Sequence, residues 1–287
     1  MRPTAEKSLL VICLLGLLLI VSFSIRAGGA SFGFPLFTHP DEFYVFDAAH
    51  RMVETGDMDP YFFNYPSLMI YAQAAIQYGC FLTARTKDGA PSFKDLPITD
   101  LYYAGRLFTV LLATLSVLLT FYLAQRLMNS WMGLTAAAIL TFSSLHIGHS
   151  YFITVDLPMS TAVLVAIVCS IVLYQKGPRT GLYLLNGLVI GFAIGVKYTA
   201  IWSIGAMLLA HYWLHRERKI SLYPKRLLWG ILLILVGFFI STPYALIKPI
   251  ALLKDLYFEF AHYRSGHQGI DSSVSYGYYW MKLRIAF

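Results

Sequence analysis

Charge is what this chain has least of: only 13% of its 287 residues are Asp, Glu, Lys or Arg, about half of what a soluble domain carries. With 57% hydrophobic residues and a mean hydropathy of +0.62, that scarcity excludes a soluble enzyme. It excludes intrinsic disorder too, because an unfolded chain needs low hydrophobicity and high charge. Cysteine is also sparse. Cys13 and Cys169 lie inside apolar runs and Cys80 stands apart from both, so there is neither a disulfide framework nor a C-x-x-C metal spacing. Walker loops, a G-x-G-x-x-G turn and a G-x-S-x-G elbow are missing as well, which sets nucleotide and serine hydrolases aside.

What the chain has instead is apolar runs long enough to cross a bilayer core of about 30 Å. Seven are expected: Leu9 to Ile25, Leu107 to Ala124, Trp131 to Ile147, Leu157 to Tyr174, Leu182 to Val196, Ala200 to Leu214 and Leu227 to Ile247, with Tyr278 opening an eighth. The first reads as an uncleaved anchor rather than a signal peptide. The predicted fold is therefore an all-α, polytopic transmembrane helix bundle over residues 1–287, with 26–105 as a long first loop. Pro66 to Ala84 reads as an interfacial helix on that loop, because a crossing there would reverse the side of every later segment.

The formal charge of +7 is distributed by side. Arg2, Lys7, Arg126, Lys176, Arg179, Arg216, Arg218, Lys219, Lys225 and Arg226 fall on one set of loops, opposed only by Glu6 and Glu217. The positive-inside rule makes those loops cytoplasmic, and the basic balance then needs no nucleic acid as partner. Nearly every acid falls on the other face.

Four segments on that other face are candidates for chemistry. Thr38-His39-Pro40-Asp41-Glu42 sets two adjacent carboxylates at a proline-started helix, where helix capping is the plain alternative. Asp156 stands before Pro158 at the start of another apolar run; such carboxylates either cap or face a cavity. Lys197 lies between two apolar runs with no acid beside it in sequence, as a snorkelling side chain or an anion ligand. His262, Arg264 and His267, closed by glycines, have the donors to hold a phosphate, and the spacing of the histidines matches no tight zinc pattern. Carboxylates and cations on one face of a bundle suit transfer of a group from a membrane-dissolved phospholipid-like donor to a hydroxyl: a carboxylate takes the proton and cations stabilise the departing phosphate.

The His39-Pro40-Asp41-Glu42 turn, the Gly56-Asp57 and Tyr65-Pro66 elements, Gly105-Arg106-Leu107, the Thr154-x-Asp156-x-Pro158 string, the glycine series leading to Lys197 and the His262-Tyr263-Arg264 segment together resemble polyprenyl-phosphate-dependent glycosyltransferases of the GT-C type, family 39. That family contains protein O-mannosyltransferases and aminoarabinose transferases. The resemblance implies inverting transfer from an isoprenoid-phosphate sugar to a protein, lipid or glycan acceptor on the extracytoplasmic side. Asp41 would be the catalytic base and Glu42 its support, Asp156 would lie by the sugar or acceptor, and Lys197, His262, Arg264 and His267 would be candidates for substrate binding. No cofactor is required by it, and a divalent cation on the carboxylates stays open. It further implies a plasma-membrane protein with a cytoplasmic N-terminus, corresponding to the N-terminal part of the family fold and C-terminally truncated. A transporter, a lipid flippase or an inactive fragment are the alternatives, although no internal repeat of the transporter kind is visible.

Overall fold

The computed structural model describes residues 5–37, 39–88, 92–218, 221 and 224–265. Among these the chain is helical throughout, without strands. Its α-helices are α1 (Ala5–Ala27), α2 (Pro40–Thr55), α3 (Leu68–Asp88), α4 (Ile98–Leu127), α5 (Ser130–Thr141), α6 (Ser144–His149), α7 (Asp156–Lys176), α8 (Thr180–Val196), α9 (Ile204–Arg218), α10 (Lys225–Ser241), α11 (Tyr244–Ile247) and α12 (Pro249–Ser265). Leu9–Ala27, α4 and α7 are long and apolar enough to cross a membrane, and α5 and α8 are shorter apolar helices. At 1.5 Å per residue, the 21 residues of α7 cover about 30 Å. The polytopic bundle read from composition is therefore present, although its spans are divided differently.

The expected span Trp131 to Ile147 breaks after Thr141, and the reason lies outside the segment. The guanidinium of Arg26 on α1 donates to the carbonyls of Leu140 (3.0 Å) and Thr141 (3.2 Å), occupying acceptors that a continuing helix would use. Ser143 then caps α6 by accepting the His146 N–H at 3.5 Å. The expected span Leu227 to Ile247 likewise ends at Ser241, where Pro243 cannot donate a backbone hydrogen bond and Thr242 turns its hydroxyl to the Ser67 N–H. The run from Ala200 opens as a 3₁₀ turn, Tyr198–Ser203, before α9. Tyr278, as the start of an eighth span, lies outside the described residues.

Three cores organise the bundle. Val11 of α1 packs with Val117 and Phe121 of α4 and Leu134 and Ala137 of α5. A second core joins α7, α8, α9 and α10 around Tyr183, Ile190, Met207 and Ile234. Within it α8 and α10 touch backbone to backbone: a Cβ on Gly187 would stand 1.9 Å from the Gly230 carbonyl oxygen, and one on Gly191 would stand 2.3 Å from that of Ile234. Glycines every fourth residue let membrane helices approach in this way. Gly187, Gly191 and Gly195 thus form a seam that leads straight to Lys197.

The third core caps one end of the bundle. Phe46 and Met52 of α2, Ile70 of α3, Tyr102 of α4, Ile153, Val155 and Val196 are buried together there, with Tyr102 stacked between Phe37 and Phe46 at centroid distances of 4.1 and 3.6 Å. Gln73 and Gln77 of α3 are buried and donate to the carbonyls of Gly105 (3.4 Å) and Phe46 (3.3 Å), fastening α3 to α4 and α2 instead of meeting headgroups.

Candidate active site

The acidic pair begins α2, and neither carboxylate serves as its cap. His39 takes that place, its Nδ1 accepting the Asp41 N–H at 3.2 Å, with Pro40 as the first helical residue. α2 ends equally cleanly at Gly56, left-handed at φ 74° with its N–H on the Met52 carbonyl. Adjacent positions on a helix face different ways, and the two acids are treated differently. Asp41 is half-buried, and its carboxylate has no side-chain hydrogen bond or ion pair among the described residues. Glu42 is fully buried.

Glu42 meets Arg106 of α4 in a two-point pair, Nε to Oε1 at 2.9 Å and the second guanidinium nitrogen to Oε2 at 2.6 Å, both side chains wholly inaccessible. The remaining nitrogen of Arg106 donates to the Ala30 (3.1 Å) and Phe32 (2.7 Å) carbonyls, and the guanidinium lies over the rings of Phe34 (4.7 Å) and Phe152 (5.2 Å). Oε1 of Glu42 also accepts the Ile153 N–H at 2.8 Å. One buried cation therefore joins the turn after α1, the start of α2, the start of α4 and the loop before α7. Its low-dielectric surroundings and complete set of partners make the geometry rigid. Both carboxylate oxygens of Glu42 are thus engaged, by Arg106 and the Ile153 amide.

Asp156 and Lys197 form the second pair. Asp156 stands at the first turn of α7, Lys197 in the extended link after α8, and the ammonium donates to Oδ1 at 2.5 Å. Lys197 has no acid beside it in sequence, and its partner, 41 positions away, is next to it in space. The lysine is 19% exposed and the carboxylate 45%, so the pair lies at the rim of the bundle with the acid outward.

A third group lies over this end. Phe63 is pinned from both sides, its N–H to Asp255 (2.8 Å) and its carbonyl from the Tyr198 hydroxyl (2.8 Å). Asn64 donates to Glu259 at 2.6 Å, and Lys248 pairs with Asp59. The Asp59 carboxylate beside it pushes the Lys248 ammonium upward in pKa. α12 is thus docked through its acids, while Ile250, Leu253, Tyr257 and Phe260 face outward. His262 and Arg264 fall on the last turns of α12, with side chains outside the described portion, and His267 lies outside the described residues. Among the described residues no cluster of three or more His, Cys, Asp or Glu could hold a metal ion.

A family model described as Dolichyl-phosphate-mannose-protein mannosyltransferase matches residues 99–243, just over half of the 287-residue chain. The chain belongs to this family. The match includes Arg106, Asp156 and Lys197 and begins after the acidic pair. In three dimensions the family member is similar to the S. cerevisiae protein O-mannosyltransferase Pmt1–Pmt2 complex bound to the sugar donor, with a TM-score of 0.56 and 20% identity over 91% of this chain and 34% of that one. At such identity the likeness is one of fold, a GT-C membrane fold, and the chain spans about a third of the yeast chain's length. No curated protein matches the sequence.

Sequence reasoning named Asp41, Glu42, Asp156 and Lys197 but missed Arg106 as a site residue, reading it only as the opening of an apolar helix. The signal was available: an arginine at the edge of a span is expensive unless paired, and Gly105 beside it permits close approach, since a Cβ there would stand 2.4 Å from Gln73 Oε1 and 2.7 Å from Ile153 Cδ1.

Proposed function

We propose that this mannosyltransferase-family chain is an integral membrane glycosyltransferase that moves a sugar from a polyprenyl-phosphate donor to an acceptor hydroxyl on the extracytoplasmic side. The observation that carries the reading is the contrast within the acidic pair. A half-buried carboxylate without a side-chain partner among the described residues, next to a neighbour that is buried and doubly bonded, is the arrangement wanted of a general base: accessible and held in place. Asp41 takes the proton of the acceptor hydroxyl as its oxygen attacks the anomeric carbon; the bond to the phosphate oxygen breaks, and the sugar is transferred with inversion. Lys197 is the cation nearest in kind to the departing phosphate. Its present partner Asp156 holds it in place until an anion competes for it. The positive-inside distribution supports a cytoplasmic N-terminus and an extracytoplasmic site, and the plasma membrane is the compartment we assign.

The test is Asp41→Asn, which keeps size while removing the base. With purified protein in lipid and a polyprenyl-phosphate sugar as donor, release of free polyprenyl phosphate should fall by about 10²- to 10⁴-fold with the thermal midpoint unchanged. Turnover within a few-fold of the parent would remove Asp41 from the mechanism.

A further inference from the structure

Asp156 also lines a groove of about 450 Å³ between α5, α6 and α7, within the size range of small-ligand sites. Leu140, Leu145 and Leu157 form its apolar part; Ser143, Ser160, His149 and Asp156 form its polar part. Ile139, Phe142 and Leu145 on the neighbouring surface of α5 and α6 are 69, 60 and 73% exposed, so the approach to the groove runs through the apolar exterior that lipid would cover.

The electrostatics of the lining are set by a residue behind it. His146, also in the lining, receives the Arg26 guanidinium at its Nδ1 (2.7 Å). Arginine can only donate, so Nδ1 accepts, the ring is neutral, and Nε2 carries the hydrogen toward Ser116 Oγ at 2.9 Å. A second proton on this imidazole would set two cations in contact. His146 therefore brings no positive charge to the groove, and Lys197 is not part of the lining. The one carboxylate in the lining, Asp156, is already matched by the Lys197 ammonium at 2.5 Å, and it stands beside two hydroxyls and the His149 ring, which has no hydrogen-bond partner among the described residues. Such a lining holds no cation of its own for a phosphate, the Arg26 and Lys197 donors being turned to protein partners, and it offers hydroxyl and carboxylate acceptors. It suits a neutral group rich in hydroxyls.

We infer that this groove is a binding site for the hydroxyl-rich, uncharged headgroup of a membrane amphiphile, entered sideways from the bilayer, with the chain of the amphiphile along Leu140, Leu145 and Leu157. The groove meets the proposed phosphate end at Asp156, which Lys197 contacts, and its occupancy can be read without the transfer reaction.

The test uses the full chain in phosphatidylcholine nanodiscs and a photoreactive alkyl β-glucoside as probe, with the crosslinked peptide read by mass spectrometry. Labelling should fall within residues 140–160 and be competed by unlabelled alkyl glucoside, and neither by the alkyl phosphate of equal chain length nor by free glucose at the same concentration. Ser160→Phe, which fills the groove from an exposed position, should reduce labelling about tenfold, a loss of about 1.4 kcal/mol in binding. His149→Leu, which removes only a polar group, provides the same readout should Ser160→Phe lower the thermal midpoint. Equal competition by the alkyl phosphate would make the groove an anion site and overturn the inference; so would labelling elsewhere, or labelling indifferent to both variants. Because binding is read without turnover, failure here leaves the role of Asp41 untouched, and failure of Asp41→Asn leaves the groove untouched.

Discussion

Arg106 does more for the site than any residue that would touch substrate. Its partner Glu42 is one position from Asp41, so whatever fixes Glu42 fixes the proposed base. Breaking a buried pair by removing one partner costs about 3–5 kcal/mol, because the survivor is left as an uncompensated charge. Arg106→Ala and Glu42→Gln should therefore each lower the thermal midpoint in detergent markedly. The double variant should be less damaging than the sum of the two, with the coupling recovered from a double-mutant cycle; additive losses would show that the pair does not hold the cap together. The pairing was illegible in the sequence for a simple reason. Local patterns show which residues lie on a helix face, and nothing local connects positions 64 apart. The acids themselves were legible because they are adjacent and begin a helix.

At the scale of elements, the glycine seam between α8 and α10 determines where Lys197 stands. Van der Waals contact between backbones, rather than a hydrophobic drive, holds helices together in lipid, and an added methyl group has nowhere to go. Gly191→Ala would drive a Cβ to 2.3 Å from the Ile234 carbonyl and 2.8 Å from the Gly237 Cα. Overpacking of this kind costs about 1–3 kcal/mol, and the expected result is a lowered thermal midpoint. Gly181, with nothing near its Cβ position, supplies the control: Gly181→Ala should change stability by no more than about 0.5 kcal/mol. Helix existence was readable here from apolar runs, and boundaries were less so. α5 stops at Thr141 because Arg26 takes its last carbonyls, and α3 turns buried glutamines to its neighbours; both outcomes belong to tertiary contacts that a hydropathy window does not contain.

For the whole molecule, the two ends of the bundle differ in character. One end gathers the Glu42–Arg106, Asp156–Lys197 and Asp59–Lys248 pairs. The other is held by contacts among the basic loops, such as Arg126 to Gln175 and Arg226 to the Pro178 carbonyl. Residues far apart in the chain are thus brought together at one end of the bundle. Cysteines introduced at Met58 and Leu246, both exposed, in a background lacking the three native ones, should react with an impermeant maleimide in intact cells, and one at Arg179 only after permeabilisation. Reaction of positions 58 and 246 from opposite compartments would contradict the assigned topology.

The long-range closure of Glu42 has a consequence for how the protein is made. Its guanidinium partner is synthesised 64 residues later and the Ile153 amide 111 residues later, so at about 5–20 residues per second the nascent carboxylate waits roughly 3–13 seconds for the first and longer for the second. During that interval the segment beyond the first helix stays hydrated and open to proteases and chaperones outside the membrane. Its maturation is therefore gated by insertion of helices that follow it, so a lesion that slows their entry would be read out as degradation of a segment already delivered.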